Sequence, residues 1–131
     1  MKRINVAAAV ILDGERILAV ERGYGNYMGY WEFPGGKIEE GETGSDALHR
    51  ELREELDCEV RIVEELQNVE WDYPEFHLSM QCFLCHLISG FTLKEHLHYR
   101  WLSAKELNDV KWLPADLSVI EEIKKRISTS L

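Results

Sequence analysis

The run Gly36–Cys58, GKIEEGETGSDALHRELREELDC, constrains this chain more than any other stretch, because a glycine turn, a leading glutamate and an Arg-Glu-Leu-Arg-Glu-Glu helix follow without interruption. A helix beginning near Thr43 or Ser45 places Glu51, Glu54 and Glu55 within an arc of about 100° at 3.6 residues per turn. Leu48, Leu52 and Leu56 fall on an adjacent, partly overlapping stripe that can dock on a core. The spacing therefore predicts an amphipathic helix whose acidic margin is held by packing. Like charges three and four residues apart cost about 0.2–0.5 kcal/mol per pair unless a positive group sits among them. A cluster of glutamates without His or Cys suits a hard cation, Mg²⁺ or Mn²⁺, which bridges carboxylates to phosphate oxygens. Arg50 can pair with Glu54 one turn on and fix its rotamer. Gly35 and Gly36, directly after Pro34, predict a backbone turn that admits a close ligand and can present a carbonyl to the metal. Glu42, at the helix entrance, favours the positive end of the dipole.

Composition bounds what surrounds this run. At 131 residues and 45% hydrophobic, residues 1–131 form one domain with a continuous core. A net charge of −9 lacks the basic stripe that nucleic acid polymers require, whereas small phosphates remain compatible if a metal carries the charge. No apolar run reaches the length of a membrane span, and Met1-Lys2-Arg3 leads straight into a strand-like segment, so a cytoplasmic protein is expected. The three cysteines, Cys58, Cys82 and Cys85, cannot all pair within one chain. Cys82-x-x-Cys85 lies in a strand-like segment, where residues three apart face opposite sides, so packing is expected rather than a metal site.

Along the chain, strands and helices alternate without repeats. Ile4–Leu12 and Arg16–Glu21 read as strands joined at Asp13-Gly14, a hairpin signal. The segment from Gly23 to Tyr30, rich in glycine and aromatics, reads as a mobile loop beside the site, or as aromatic cover for the core. Cys58–Val69 and Phe76–Ile88 read as strands with a turn at Tyr73-Pro74-Glu75, and Tyr99–Leu102 as another. Ser103-Ala104-Lys105-Glu106 is a capping-box pattern. Pro114 or Ala115 opens a terminal amphipathic helix carrying Leu117, Ile120, Ile123 and Ile127. Periodicity alone supports an α/β or α+β domain.

An isolated acidic, Arg-rich helix is ordinarily solvated surface, but the flanking spacing here is specific. Gly36, five residues, Glu42, seven residues, then Arg50-Glu51-Leu52-x-Glu54-Glu55 resembles the Nudix box, with all seven required positions filled in register. The approach Trp31-Glu32-Phe33-Pro34-Gly35-Gly36-Lys37 is similar to that of the MutT-like branch. One position departs: Asp57 stands where the family usually has a glycine suited to a left-handed helix end, a conformation that Asp tolerates better than most side chains.

The resemblance implies an α/β/α sandwich with a mixed β-sheet. It also implies Mg²⁺-dependent hydrolysis of a nucleoside triphosphate to the monophosphate and diphosphate by water attack at the β-phosphorus. Glu51, Glu54, Glu55 and the Gly36 carbonyl would hold metal, with Glu95 on a later loop as a further ligand. One of these glutamates would orient or deprotonate the water, and Arg50 would serve the same catalytic set. Arg22 matches a substrate-contacting arginine, Lys37 can steer phosphate, and Glu32 and Phe33 lie beside the box on the substrate side. His96, next to Glu95, shows no metal-ligand spacing with the other histidines. Asp116, after Pro114-Ala115, stands where the oxidised-guanine enzyme reads the base with Asn. Ionised, it would accept from a cytosine amine; buried and protonated, it would also donate.

Oxidised dGTP, in nucleotide-pool sanitising that spares DNA repair, and CTP or dCTP are thus both compatible. A nucleoside-diphosphate sugar or a dinucleotide are rivals, as is a non-catalytic nucleotide-binding module. The expected partner is a nucleoside triphosphate, met by a monomer or homodimer.

Overall fold

The first long strand is apolar on both faces, which places it at the centre of a sheet covered on both sides. The computed structural model describes residues 1–129, and β1 runs from Lys2 to Asp13. Ala7, Ala9 and Ile11 belong to one buried cluster, while Ala8 and Val10 belong to the other. Around it lie β2 (Arg16–Glu21), β3 (Trp31–Glu32), β4 (Gly35–Lys37), β5 (Val60–Asp72), β6 (Phe76–Leu87) and β7 (Tyr99–Leu102). The sheet order is β3-β2-β1-β6-β5, with β4 paired to β1 and β7 to β2. β1 and β6 run parallel, from Lys2 opposite Phe76 to Ile11 opposite Cys85, and the other pairs are antiparallel. This is the mixed sheet of the expected sandwich.

Helix α1 (Gly44–Leu56) covers one face and α2 (Pro114–Thr129) the other. From α1, Ala47, Leu48, Leu52 and Leu56 are fully buried with Ala7, Ala9, Ile11, Leu18 and Val20. From α2, Ala115, Val119, Ile120, Ile123 and Ile127 pack with Ala8, Val10, Ile17 and Ala19. Thr43 caps α1 by accepting from Asp46 N at 3.0 Å. At the other end Asp57 is left-handed (φ 47°, ψ 46°), and its N–H returns to the Arg53 carbonyl. Asp57 thus takes the conformation usually left to glycine. Among the described residues no helix is long and apolar enough to cross a membrane.

Several expectations shift. Gly35 and Gly36 are not a turn: they form β4, with Ala7 opposite Gly36 and Ala8 opposite Gly35. Ala9 N donates to the Pro34 carbonyl at 2.8 Å, so pairing with β1 already includes the proline. Gly35 holds φ +152°, and a Cβ there would run into the Ala7 backbone, so close strand approach requires glycine. The hairpin loop is Gly14-Glu15, one residue later than the signal, with Gly14 at φ 62°. Leu117 is 50% exposed, and Val119 takes the inward position, because the buried stripe of α2 is set from Ala115. Cys82 and Cys85 fall in opposite clusters, as a strand period of two requires, and all three cysteines are free and buried. The turn at Tyr73 closes with Tyr73 N donating to the Phe76 carbonyl at 2.9 Å. Ala104–Glu106 forms a single 3-10 turn, in which Ser103 N donates to Glu106 Oε1 at 3.0 Å.

Truncating the fully buried Leu52 to Ala should cost about 2–5 kcal/mol in urea unfolding, whereas Leu117→Ala should stay within about 0.5 kcal/mol. Equal losses would contradict the packing described. Asp57→Gly should stabilise by about 0.5–1 kcal/mol, since glycine takes the left-handed position without strain; a destabilised variant would contradict the reading of this helix end.

Candidate active site

Helix α1 meets β4 so closely at Gly36 that a Cβ there would overlap the carboxylate of Glu51. The missing side chain is what brings that carboxylate alongside the Gly36 backbone. Gly44 makes the second close approach, since a Cβ there would strike Gln81 on β6. The acidic edge of α1 is thereby pinned against the sheet at two glycines.

Arg50 organises that edge. Its Nε and Nη2 donate to the two oxygens of Glu42 at 2.8 and 2.9 Å, and Nη1 donates to Glu51 at 2.8 Å and Glu54 at 3.3 Å. Nη2 also reaches the Lys37 carbonyl at 2.9 Å, which ties the helix to the end of β4. The predicted Arg50–Glu54 pair exists, but it is the longest of these contacts, and Glu42 is the principal partner. Hydrogen bonds from Arg50 and then from Glu39 N hold the Glu42 carboxyl down at about 2. Arg50 is itself pushed further above its ordinary range by Glu42 and Glu51. The Glu51 carboxyl is nevertheless raised, because burial outweighs the salt bridge.

Glu55 stands apart from Arg50. Burial first, then the charges of Glu51, Glu32 and Glu95, push its carboxyl up to about 8. Its neighbourhood joins four elements. Glu32 on β3 accepts from Arg22 at 3.1 Å, His96 lies 3.4 Å from Glu32 and 3.9 Å from Glu55, and Tyr24 OH donates to Glu95 at 3.4 Å. The backbone of Glu95 packs onto Gly23, where a Cβ would strike its carbonyl. Arg22 also donates to Asn26 O at 3.1 Å and lies under the Tyr24 ring, so it ties the 23–30 loop to Glu32.

The other sequence candidates lie around this edge. Lys37 is exposed, and its carbonyl rather than its ammonium meets Arg50. Phe33 is 4% exposed with its ring on Trp112, at 4.8 Å between centroids, and its N–H donates to Asp116 Oδ2 at 2.8 Å. Asp116 is buried in the first turn of α2, and burial pushes its carboxyl up to about 8. The Tyr73 hydroxyl accepts from the N–H of the preceding Ala115 at 3.1 Å.

The donors along α1 are all oxygen, and around the buried Glu55 the carboxylates of Glu51, Glu32 and Glu95 gather with few compensating charges. Those features fit a hard divalent cation. Among the described residues, however, no three His, Cys, Asp or Glu side chains are already gathered as a metal-ligand cluster. Glu51 and Glu54 turn to Arg50 instead, since carboxylates with no cation between them repel. Sequence reasoning put the loop of Tyr24 beside the site and His96 next to Glu95, but gave neither side chain a partner. His96 showed no ligand spacing, and only the fold brings its loop against β3 and α1.

Arg50→Ala should fold, because Leu48 and Leu52 still dock, yet lower kcat by about 10–100-fold as Glu51 and Glu54 lose their orientation. Parent-like kcat would contradict that role. In the metal-free protein, Glu55 and Asp116 retain protons that the unfolded chain releases between their ordinary values of 4.5 and 3.8 and about 8. Stability should therefore fall as pH rises through that window, by up to about 1.4 kcal/mol per pH unit for each group. Urea midpoints at stepped pH check this. Glu55→Gln should flatten the slope, and stability rising with pH through the window would contradict the burial of both groups.

Known proteins resemble this chain in sequence and in fold. The family model described as the NUDIX domain matches residues 1–124. The 8-oxo-dGTP diphosphatase of Proteus vulgaris is 40% identical over 85 residues, 63% of this chain and 76% of that one. The CTP pyrophosphohydrolase of Escherichia coli is 34% identical over 134 residues, 92% of this chain and 91% of the relative. The solution structure of the DNA mismatch repair protein MutT of methicillin-resistant Staphylococcus aureus superposes with a TM-score of 0.76 at 35% identity, covering 96% and 99% of the two chains. With a glutamate helix docked at Gly36 on a mixed sheet and a family match over nearly its whole length, the chain belongs to the Nudix hydrolases, enzymes that cleave phosphoric anhydrides.

Proposed function

We propose that this enzyme hydrolyses a nucleoside triphosphate to the monophosphate and diphosphate, with oxidised dGTP as its substrate. The observation that carries the base assignment is Asp116. One carboxyl oxygen accepts from Phe33 N, and burial raises the group to about 8. At neutral pH such a carboxyl is mostly protonated, so it offers a donor as well as an acceptor, as Asn does. Oxidised guanine presents an N–H beside a carbonyl on the edge where guanine has two acceptors. A protonated Asp116 matches that pair. The similarity to the Proteus vulgaris diphosphatase supports the same reading.

A divalent cation, when bound, neutralises phosphate oxygens and activates water. Glu51, Glu54, Glu55, Glu95 and the Gly36 carbonyl would hold it, with Mg²⁺ as the natural ion and Mn²⁺ as a substitute. Arg50 keeps Glu51 and Glu54 turned toward the same edge. Arg22 and Lys37 supply cationic groups for the phosphate chain, and Arg22 sits at the base of the 23–30 loop, where substrate enters beside Glu32. One of the four glutamates takes the proton of the water that attacks the β-phosphorus.

CTP or dCTP is the second reading, favoured by the relative named CTP pyrophosphohydrolase, which aligns over 92% of the chain. An ionised Asp116 would accept from the cytosine amine. The two readings differ in sign with pH. For oxidised dGTP, kcat/KM should fall above about pH 8 as Asp116 loses its donor, and Asp116→Asn should remove that fall while keeping turnover within about tenfold. If Asp116→Asn abolishes turnover of oxidised dGTP, or if CTP is cleaved preferentially and faster at high pH, the second reading replaces the first. Glu54→Gln should lower kcat with Mg²⁺ by at least about 100-fold in a folded protein; unchanged turnover would remove Glu54 from the site.

A further inference from the structure

Glu32 and Glu55 come from different elements, β3 and α1, yet a single imidazole stands against both. Nε2 of His96 lies 3.4 Å from Oε2 of Glu32 and 3.9 Å from Oε2 of Glu55. Glu32 is fixed from its other side, where Oε1 accepts from Arg22. Among the described residues, no side-chain hydrogen bond and no Lys or Arg ion pair holds the Glu55 carboxylate.

The ring is badly placed for packing alone. The His96 side chain is 4% exposed, and its Nδ1 is buried without a hydrogen-bond partner. An unpaired buried polar atom opposes folding, and an apolar side chain of similar size would fill the position without that penalty. The imidazole therefore occupies a site where its polarity is a burden to stability, beside two carboxylates whose spacing it bridges. Such residues behind a ligand commonly fix its orientation.

We propose that His96 is a positioning residue, which through Nε2 holds the Glu55 carboxylate in register with Glu32 and so presets the cation-binding edge of α1. The proposal rests on the reading of Glu55 as a metal ligand. It gives the loop after β6 a second task beside Glu95: that residue is exposed and reaches Tyr24, while its neighbour reaches inward to the helix.

The test is Mn²⁺ alone titrated calorimetrically into the full chain and its variants, with unfolding midpoints measured in parallel. His96→Gln keeps an amide donor near the Nε2 position, whereas His96→Asn reaches only as far as Nδ1. The expected result is a roughly tenfold weaker Mn²⁺ affinity in His96→Asn and a value within about threefold of the parent in His96→Gln. His96→Leu should weaken binding as His96→Asn does, with an unfolding midpoint equal to or above that of the parent. Parent-like binding by His96→Asn, or equal loss in the Asn and Gln variants, would overturn the proposal. So would a leucine variant clearly less stable than the parent, since that assigns the ring to packing. Glu55→Gln separates the premise from the inference. If it binds Mn²⁺ as the parent does, Glu55 is no ligand and both fall; if it weakens binding while His96→Asn does not, only the role of His96 fails.

Discussion

Around the guanidinium of Arg50 stand both oxygens of Glu42, one each of Glu51 and Glu54, and the carbonyl of Lys37. In a chain of net charge −9 this acidic edge would otherwise splay, since each carboxylate repels its neighbours. One planar side chain with five donors can serve several acceptors at once, which a lysine ammonium cannot do in the same fixed geometry. Arg50 also spans the helix entrance, the helix body and the end of β4. Docking of α1 is thus linked to the glycines that let it approach. Glu55 is left outside this arrangement, with its carboxyl raised by burial and then by like charges.

The two-residue strand β3 divides the labour between the faces of the sheet. Successive side chains of a strand point to opposite sides. Glu32 belongs with Arg22, His96 and Glu55, on the side of α1, whereas Phe33 next to it enters the α2 cluster and gives its N–H to Asp116. The side proposed for the phosphates and the side proposed for the base are therefore reached from two consecutive residues. This also explains why Asp116 feels Glu32 and Arg22 although its own helix lies on the opposite face.

Much of this was legible in the sequence, for physical reasons that differ by element. The box spacing carried the helix, its start near Thr43 or Ser45, its buried leucines and the left-handed Asp57, because caps, period and glycine positions are local properties. Cys82 and Cys85 could be placed on opposite faces from strand period alone. The terminal helix was legible as an element, and Ile120, Ile123 and Ile127 face inward as expected; Leu117 matched the stripe in spacing, yet it is exposed, and Ala115 and Val119 take the inward positions against β1 and β2. β4 was missed because two glycines after a proline carry turn chemistry, and only pairing with β1 makes them a strand. His96 was illegible for the same reason. Its partners lie more than forty residues away on α1 and more than sixty on β3, and no local pattern announces them.

In the proposed function the acidic edge of α1 delivers water to the β-phosphorus of a nucleoside triphosphate. Turnover of oxidised dGTP with Mg²⁺ in ¹⁸O-water, followed by mass spectrometry of both products, tests it most directly. Attack at the β-phosphorus puts label in the diphosphate and none in the nucleoside monophosphate. Label in the monophosphate, or release of orthophosphate in place of diphosphate, would contradict it.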